Sequence, residues 1–218
     1  MGDERPIGVF DSGVGGISVL AELVRRMPRE NYLYFGDSAN APYGSRSAEE
    51  VRALTEAHAL ELMRRGAKAI VIACNTATGA AIAYLREKYA DFPFIGVEPA
   101  IKPAAEAHPG GRILVMATPL TAASEKFRRL MAQHSAEAEL IPVPGPSLAR
   151  MIEDGVLGGE ALERALDETL RPYLTRPADA VVLGCTHYPF VWDEIARAAH
   201  TGCIYDGGAG TARETEHQ

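Results

Sequence analysis

Two cysteines in matching settings offer the most distinctive chemistry in this sequence. Cys74 follows the apolar run Ala69-Ile-Val-Ile-Ala and precedes Asn75-Thr76; Cys185 follows Ala180-Val-Val-Leu-Gly and precedes Thr186-His187. The thiolate is a base and a nucleophile, and each cysteine has amide, hydroxyl or imidazole groups beside it. Each also precedes a turn into a predicted helix, whose N-terminal partial positive charge is expected to lower a thiol pKa from about 8.5. Asp11, in Asp11-Ser12-Gly13-Val14-Gly15-Gly16, and His187 are titratable groups able to tune the thiols or shuttle protons. Two acid–base groups of one kind, presented from opposite walls, suit one reaction well. One group takes a proton from a carbon acid and the other returns a proton to the opposite face, which inverts a stereocentre without a cofactor. A cysteine hydrolase with His187 as base would use one of the same thiols, and a binding protein would merely bury both.

Each of these residues also has a structural reading. Free cysteine is among the most buried residue types, although two cysteines at equivalent places in two similar segments argue against coincidence. Cys203 has no such counterpart and reads as structural. Asp11-Ser12-Gly13 would serve as a turn and helix cap, and His187 as a hydrogen-bonded core histidine. Glu153, in Met151-Ile-Glu-Asp-Gly155, would ordinarily be a solvated helix end.

Other chemistries lack their motifs. Gly13-x-Gly15 has Ser18 where a dinucleotide fingerprint needs its third glycine. No Walker A or His-Glu-x-x-His pattern occurs, and Ala80 and Val191 stand where a cysteine phosphatase needs arginine. Three cysteines with no Cys-x-x-Cys pair speak against a disulfide framework and a four-cysteine zinc site. Neither metal nor cofactor is expected. The net charge of −7, with no densely basic stretch, makes nucleic acid an unexpected partner. No apolar run reaches the ~20 residues of a membrane span and the N-terminus lacks a signal-peptide pattern, so a cytoplasmic protein without a membrane partner is expected.

The elements that must position these groups alternate. Strands are predicted at 7–10, 31–36, 69–74, 94–97, 112–117, 139–143, 180–185 and 203–205. Helices are predicted between them: one carries Ile17, Leu20, Val24 and Met27 on one face, and another opens at a Ser47/Glu50 capping box and runs to Gly66. Further helices are expected at 78–89, from a Thr118 cap with Pro119 in first position to about Gln133, at 147–154, 159–174 and 190–199. Glu98-Pro99 and Lys102-Pro103 mark a domain boundary. The cysteine strands superpose at an offset of 111 residues and the opening strands, at Ile7 and Ile113, at 106. The expected fold is α/β: two similar α/β domains with mostly parallel sheets, facing one another across a shared cleft. The first covers 1–98 plus 207–218, the second 99–206.

At these residues the chain closely resembles the glutamate racemases, within the cofactor-independent aspartate/glutamate racemase superfamily. The resemblance lies in Gly8-Val-Phe-Asp11-Ser12-Gly-Val-Gly-Gly16, Tyr34-Phe-Gly-Asp37, Ala41-Pro42-Tyr43-Gly44, Ala73-Cys74-Asn75-Thr76-Ala77 and Gly184-Cys185-Thr186-His187-Tyr188-Pro189, in the family's order. It implies interconversion of L- and D-glutamate, with D-glutamate going to peptidoglycan. Cys74 would exchange the α-proton of D-glutamate and Cys185 that of L-glutamate, assisted by Asp11 and His187 respectively. Glu153 matches the family's carboxylate near the second thiol. Ser12, Pro42, Tyr43, Gly44, Asn75, Thr76, Thr118, Thr121 and Thr186, with Asp11 and His187, would bind substrate. A relative acting on aspartate or another amino acid is the alternative. The implied partner is a small molecule, L- or D-glutamate, and a homodimer is left open as the assembly. Asn40 and Gly79 depart from the family's usual residues without touching the chemistry. The family also continues beyond the point reached at Gln218, from which exposed apolar surface on the first domain is expected.

Overall fold

The computed structural model describes residues 3–218. Eight strands form two four-stranded sheets, and every strand pair is parallel. The first sheet holds β1 (Ile7–Asp11), β2 (Tyr32–Gly36), β3 (Ala69–Ile72) and β4 (Phe94–Gly96) in the order β2-β1-β3-β4. Its crossovers are α1 (Ile17–Arg26), α2 (Ala48–Arg64) and α3 (Asn75–Lys88). The second half opens with α4 (Ile101–Ala107) and β5 (Arg112–Ala117), followed by α5 (Pro119–Ala123), α6 (Glu125–His134) and β6 (Glu139–Pro144). Then come α7 (Leu148–Glu153), α8 (Glu160–Leu170), β7 (Ala180–Gly184), α9 (Trp192–Ala199) and β8 (Ile204–Asp206). Its strand order, β6-β5-β7-β8, repeats that of the first sheet. Helix α10 (Gly208–His217) closes the chain.

Both sheets are covered on both faces, as all-parallel sheets require. In the first, Phe10, Ile70 and Ile72 pack with Val51, Leu62 and Leu85, while Val9, Val71 and Ile95 meet Val19, Leu23 and Ala212 on the other face. In the second, Leu114, Met116 and Leu183 pack with Leu148, Leu166 and Ile195, and Ile113, Val115 and Val182 with Ile101 and Phe127. Each fully buried side chain of this size contributes about 1.5–3 kcal/mol. The register sets the site. Phe10 pairs with Ile72 and Ala117 with Gly184, so Asp11 and Cys74 emerge at one sheet's carboxyl edge and Thr118 and Cys185 at the other's. Ligands bind at such edges.

Several elements differ from expectation. On α1 the buried residues are Val19 and Leu23, whereas Ile17 and Val24 are 45% and 44% exposed. Two stripes at helical spacing share Leu20 and Met27, and the sheet takes the one through Val19 and Leu23. Helix α4 was not expected because Pro103 reads as a breaker; Pro103 lies in its first turn, where its missing N–H has no helical partner to lose. Helix α3 starts at Asn75, three residues earlier than expected, with Cys74 itself as N-cap. The helix after Thr118 is two helices, because Ser124 adopts an extended conformation and caps α6 with its hydroxyl. Helix α10, read only as a return toward the first half, packs Ala212 among the side chains under α1. No helix among the described residues is long and apolar enough to cross a membrane.

Candidate active site

The two sheet edges enclose one small cavity. It is lined by Ser12, Pro42, Tyr43, Gly44, Cys74, Asn75, Thr76 and Thr118 together with Ala149, Cys185, Thr186 and His187. Both thiols are 6% exposed, and both are free. The cavity measures ≈ 10 Å³, about the least that holds one water molecule. The halves are therefore shut, and an amino acid enters only when they part.

Cys74 sits where β3 gives way to α3. Its Sγ accepts the Ala77 N–H at 3.4 Å and donates to Ser12 Oγ at 3.4 Å. The expected lowering of this thiol does not occur. Burial, with the negative charge of Asp11 next, pushes it up to about 12 against the two hydrogen bonds. Asp11 is wholly buried: its Oδ1 accepts the Gly13 N–H at 2.8 Å and its Oδ2 the Thr186 hydroxyl at 3.0 Å. Burial raises its pKa against the pull of His187 and those bonds.

Cys185 has a different neighbourhood. Its Sγ lies 3.8 Å from His187 Nδ1, and His187 Nε2 lies 2.6 Å from Glu153 Oε2. Glu153 also accepts the Val14 N–H at 2.9 Å and the Ser38 hydroxyl. Burial opposes charge on His187, but Cys185, Glu153 and Asp11 outweigh it and raise the imidazole to about 11. Burial likewise opposes charge on Glu153, yet the bonds from His187, Ser38 and Val14 bring its carboxyl down to about 2. The result is a charged relay, carboxylate to imidazolium to sulfur, beside a thiol that stays neutral across the cavity.

The remaining wall is polar. Thr76, Thr118 and Thr121 join their hydroxyls in a triangle with sides of 2.9–3.0 Å. Asn75 is buried, and its Oδ1 is left without a partner. Such an orphan acceptor is costly unless a ligand supplies the donor. Tyr43 donates from its hydroxyl to Asp37 Oδ2 at 2.6 Å, and His58 and Asn40 hold that carboxylate at 2.9 and 3.0 Å. Among the described residues, no group of three or more His, Cys, Asp or Glu side chains is arranged to hold a metal ion.

A sequence profile of Asp/Glu/Hydantoin racemases matches residues 7–215. This chain belongs to that family. It is a racemase, and so an isomerase. A glutamate racemase of Clostridium botulinum (strain Langeland) is 48% identical over 217 residues, 99% of this chain and 84% of that protein. Among solved structures, Escherichia coli glutamate racemase in complex with L-glutamate and the activator UDP-MurNAc-Ala aligns with a TM-score of 0.88 at 35% identity, over 98% of this chain and 82% of that one. The Francisella tularensis glutamate racemase, solved with D-glutamate, aligns with a TM-score of 0.85 at 31% identity, over 98% and 80%.

Eleven of the residues singled out from sequence line the cavity wall. Asp11, Thr121 and Glu153 do not line it. Asp11 lies behind Thr186, Thr121 behind Thr76 and Thr118, and Glu153 behind His187. Sequence reasoning missed Ala149, an apolar residue on α7 with nothing to mark it. It also missed Ser38, the Val14 N–H, and the Asp37–His58 pair that holds Tyr43. Val14 and Asp37 lay within recognised stretches, which were the available signals. A hydroxyl or backbone N–H that acts across a cleft leaves no local pattern.

Proposed function

We propose that this racemase interconverts L- and D-glutamate by proton transfer between the substrate Cα and two thiols. The observation that carries the proposal is a pair of buried thiols lining a single closed cavity, one beside an imidazolium–carboxylate pair and one held neutral. With L-glutamate bound, the Cys185 thiolate takes the α-proton and the Cα–H electron pair stays on carbon. The Cys74 S–H bond then breaks, and its proton goes to the opposite face of Cα. The product is D-glutamate with thiolate now on Cys74; D-glutamate runs the same steps in reverse. His187, held by Glu153, faces the Cys185 sulfur, while Asp11 acts on the Cys74 wall through its charge. Asn75 Oδ1 accepts from the substrate ammonium. The hydroxyls of Ser12, Thr76, Thr118 and Thr186, with Pro42, Tyr43 and Gly44 closing the wall, hold the carboxylates, and Thr121 orients Thr76 and Thr118 from behind.

Similarity to glutamate racemases over almost the whole chain supports glutamate as substrate, and supports a role in supplying D-glutamate for peptidoglycan from the cytoplasm. The repeated sheet supports two domains, 1–98 with 207–218 and 99–206. A hydrolase needs one thiol, so the second cysteine facing the same cavity favours racemisation. The test follows the circular dichroism of L-glutamate with purified protein in D2O, without pyridoxal phosphate or added metal. The expected result is decay to zero with deuterium at Cα of the D-product. An unchanged signal from a folded sample excludes glutamate, and the same assay on aspartate then decides the alternative.

A further inference from the structure

Glu153 belongs to the second half of the molecule, yet two of its three donors come from the first. These are the Val14 N–H, at 2.9 Å, and the Ser38 hydroxyl. The third is its neighbour His187. The first half is shaped to receive this pair. A Cβ on Gly13 would lie 2.2 Å from Glu153 Oε2, and a Cβ on Gly15 would lie 2.4 Å from His187 Nδ1. Neither glycine has a positive φ, so it is the close approach of the other half, and not backbone conformation, that requires glycine here. Thr186 Oγ1 to Asp11 at 3.0 Å and Ser18 Oγ to the Thr186 carbonyl at 3.1 Å close the same seam. The docked side chains of His187 and Glu153 are only 4% and 7% exposed.

We propose that Gly13, Val14, Gly15 and Ser38 are positioning residues that complete the Cys185 base as the cleft closes, by docking Glu153 and His187 in a cradle on the first half; this rests on the two-thiol racemisation proposed above. With the halves apart, Glu153 keeps His187 and loses both other donors to water. Closure returns them, fixes the carboxylate, and fixes through it the imidazole whose Nδ1 faces Cys185. The neighbouring wall differs. Cys74 has its partners, Ser12 and the Ala77 N–H, within its own half. Disturbing the cradle should therefore slow the Cys185 step and leave the Cys74 step alone.

The two glutamate enantiomers have equal free energy, so any variant must lower kcat/KM equally in both directions. The affected wall is read from isotope effects. Deuterium at Cα of L-glutamate reports proton removal by Cys185, and deuterium at Cα of D-glutamate reports removal by Cys74. In the full chain, Ser38→Ala is expected to lower kcat/KM about three- to tenfold, the loss of one hydrogen bond, and Gly13→Ala, whose Cβ presses on the Glu153 carboxylate, further. In both, the ratio of the L to the D isotope effect on kcat/KM rises. Ser38→Thr keeps a hydroxyl and returns the wild-type ratio. Lower kcat/KM with an unchanged ratio, as a merely structural defect would give, overturns the proposal. So does full activity in both variants. A wild-type chain that leaves glutamate unracemised removes the underlying reaction instead, and the two failures are distinct.

Discussion

Cys74 and Cys185 occupy equivalent strand ends and unlike fields. The first faces the buried charge of Asp11, and the second an imidazolium that Glu153 holds in place. A two-thiol reaction needs both, so Cys74→Ser and Cys185→Ser are each expected to lose about 10²–10⁴-fold or more in glutamate racemisation. A near-normal rate from either variant would point to a single-thiol reaction. The relay also ties stability to pH. His187 is raised from 6.5 to about 11 in the fold, so its contribution is complete below pH 6.5 and lost as pH rises toward 11. Glu153 is lowered from 4.5 to about 2, so its contribution is complete above pH 4.5 and lost as pH falls toward 2. Melting temperatures of wild type and His187→Asn should accordingly differ most between pH 4.5 and 6.5 and converge in alkali; a gap that widens in alkali would refute the assignment. Cys74, Cys185, Asp11 and His187 were legible as chemistry because their types and neighbours are unusual at strand ends. Ser38 and Ala149 were not, because each meets the site only through the approach of the opposite half.

Elements were legible where a local device fixes them. Ser47 and Glu50 form the full capping box expected from their spacing, with the Ser47 side chain accepting the Glu50 N–H at 3.2 Å and Glu50 returning to the Ser47 N–H at 3.0 Å. Ser47→Ala should cost about 1 kcal/mol of stability, measured by urea denaturation. Helix α1 was legible as a helix but not in its orientation, since apolar residues stand on two overlapping stripes and only contact with the sheet distinguishes them. Leu23 is fully buried and Val24 is 44% exposed. Leu23→Ala should therefore cost about 2–5 kcal/mol, and Val24→Ala about 0.5 kcal/mol or less. A larger loss from Val24→Ala would mean the helix presents its other stripe. Pro103 and Ser124 misled for one reason: each acts by position within a turn, and composition does not encode that position.

At the scale of the whole molecule, the repeat seen at offsets of 106 and 111 becomes two sheets of identical strand order whose carboxyl edges meet. What the repeat did not disclose is how tightly they meet. A cavity of ≈ 10 Å³ holding both thiols makes opening a condition of every turnover, and the three free cysteines report that opening. Cys203 is exposed while Cys74 and Cys185 are buried. Pulsed alkylation with iodoacetamide, followed by peptide mapping, should modify Cys203 first. Cys74 and Cys185 should react only through the open form, and more slowly still when glutamate holds the halves together. Glutamate should leave the Cys203 rate unchanged, because Cys203 lies outside the cavity. If Cys74 and Cys185 reacted as fast as Cys203, the closed arrangement would be a minor state in solution. The Glu153–His187 pair would then spend most of its time away from the first half, and Cys185 would lack its completed partner for most of each cycle.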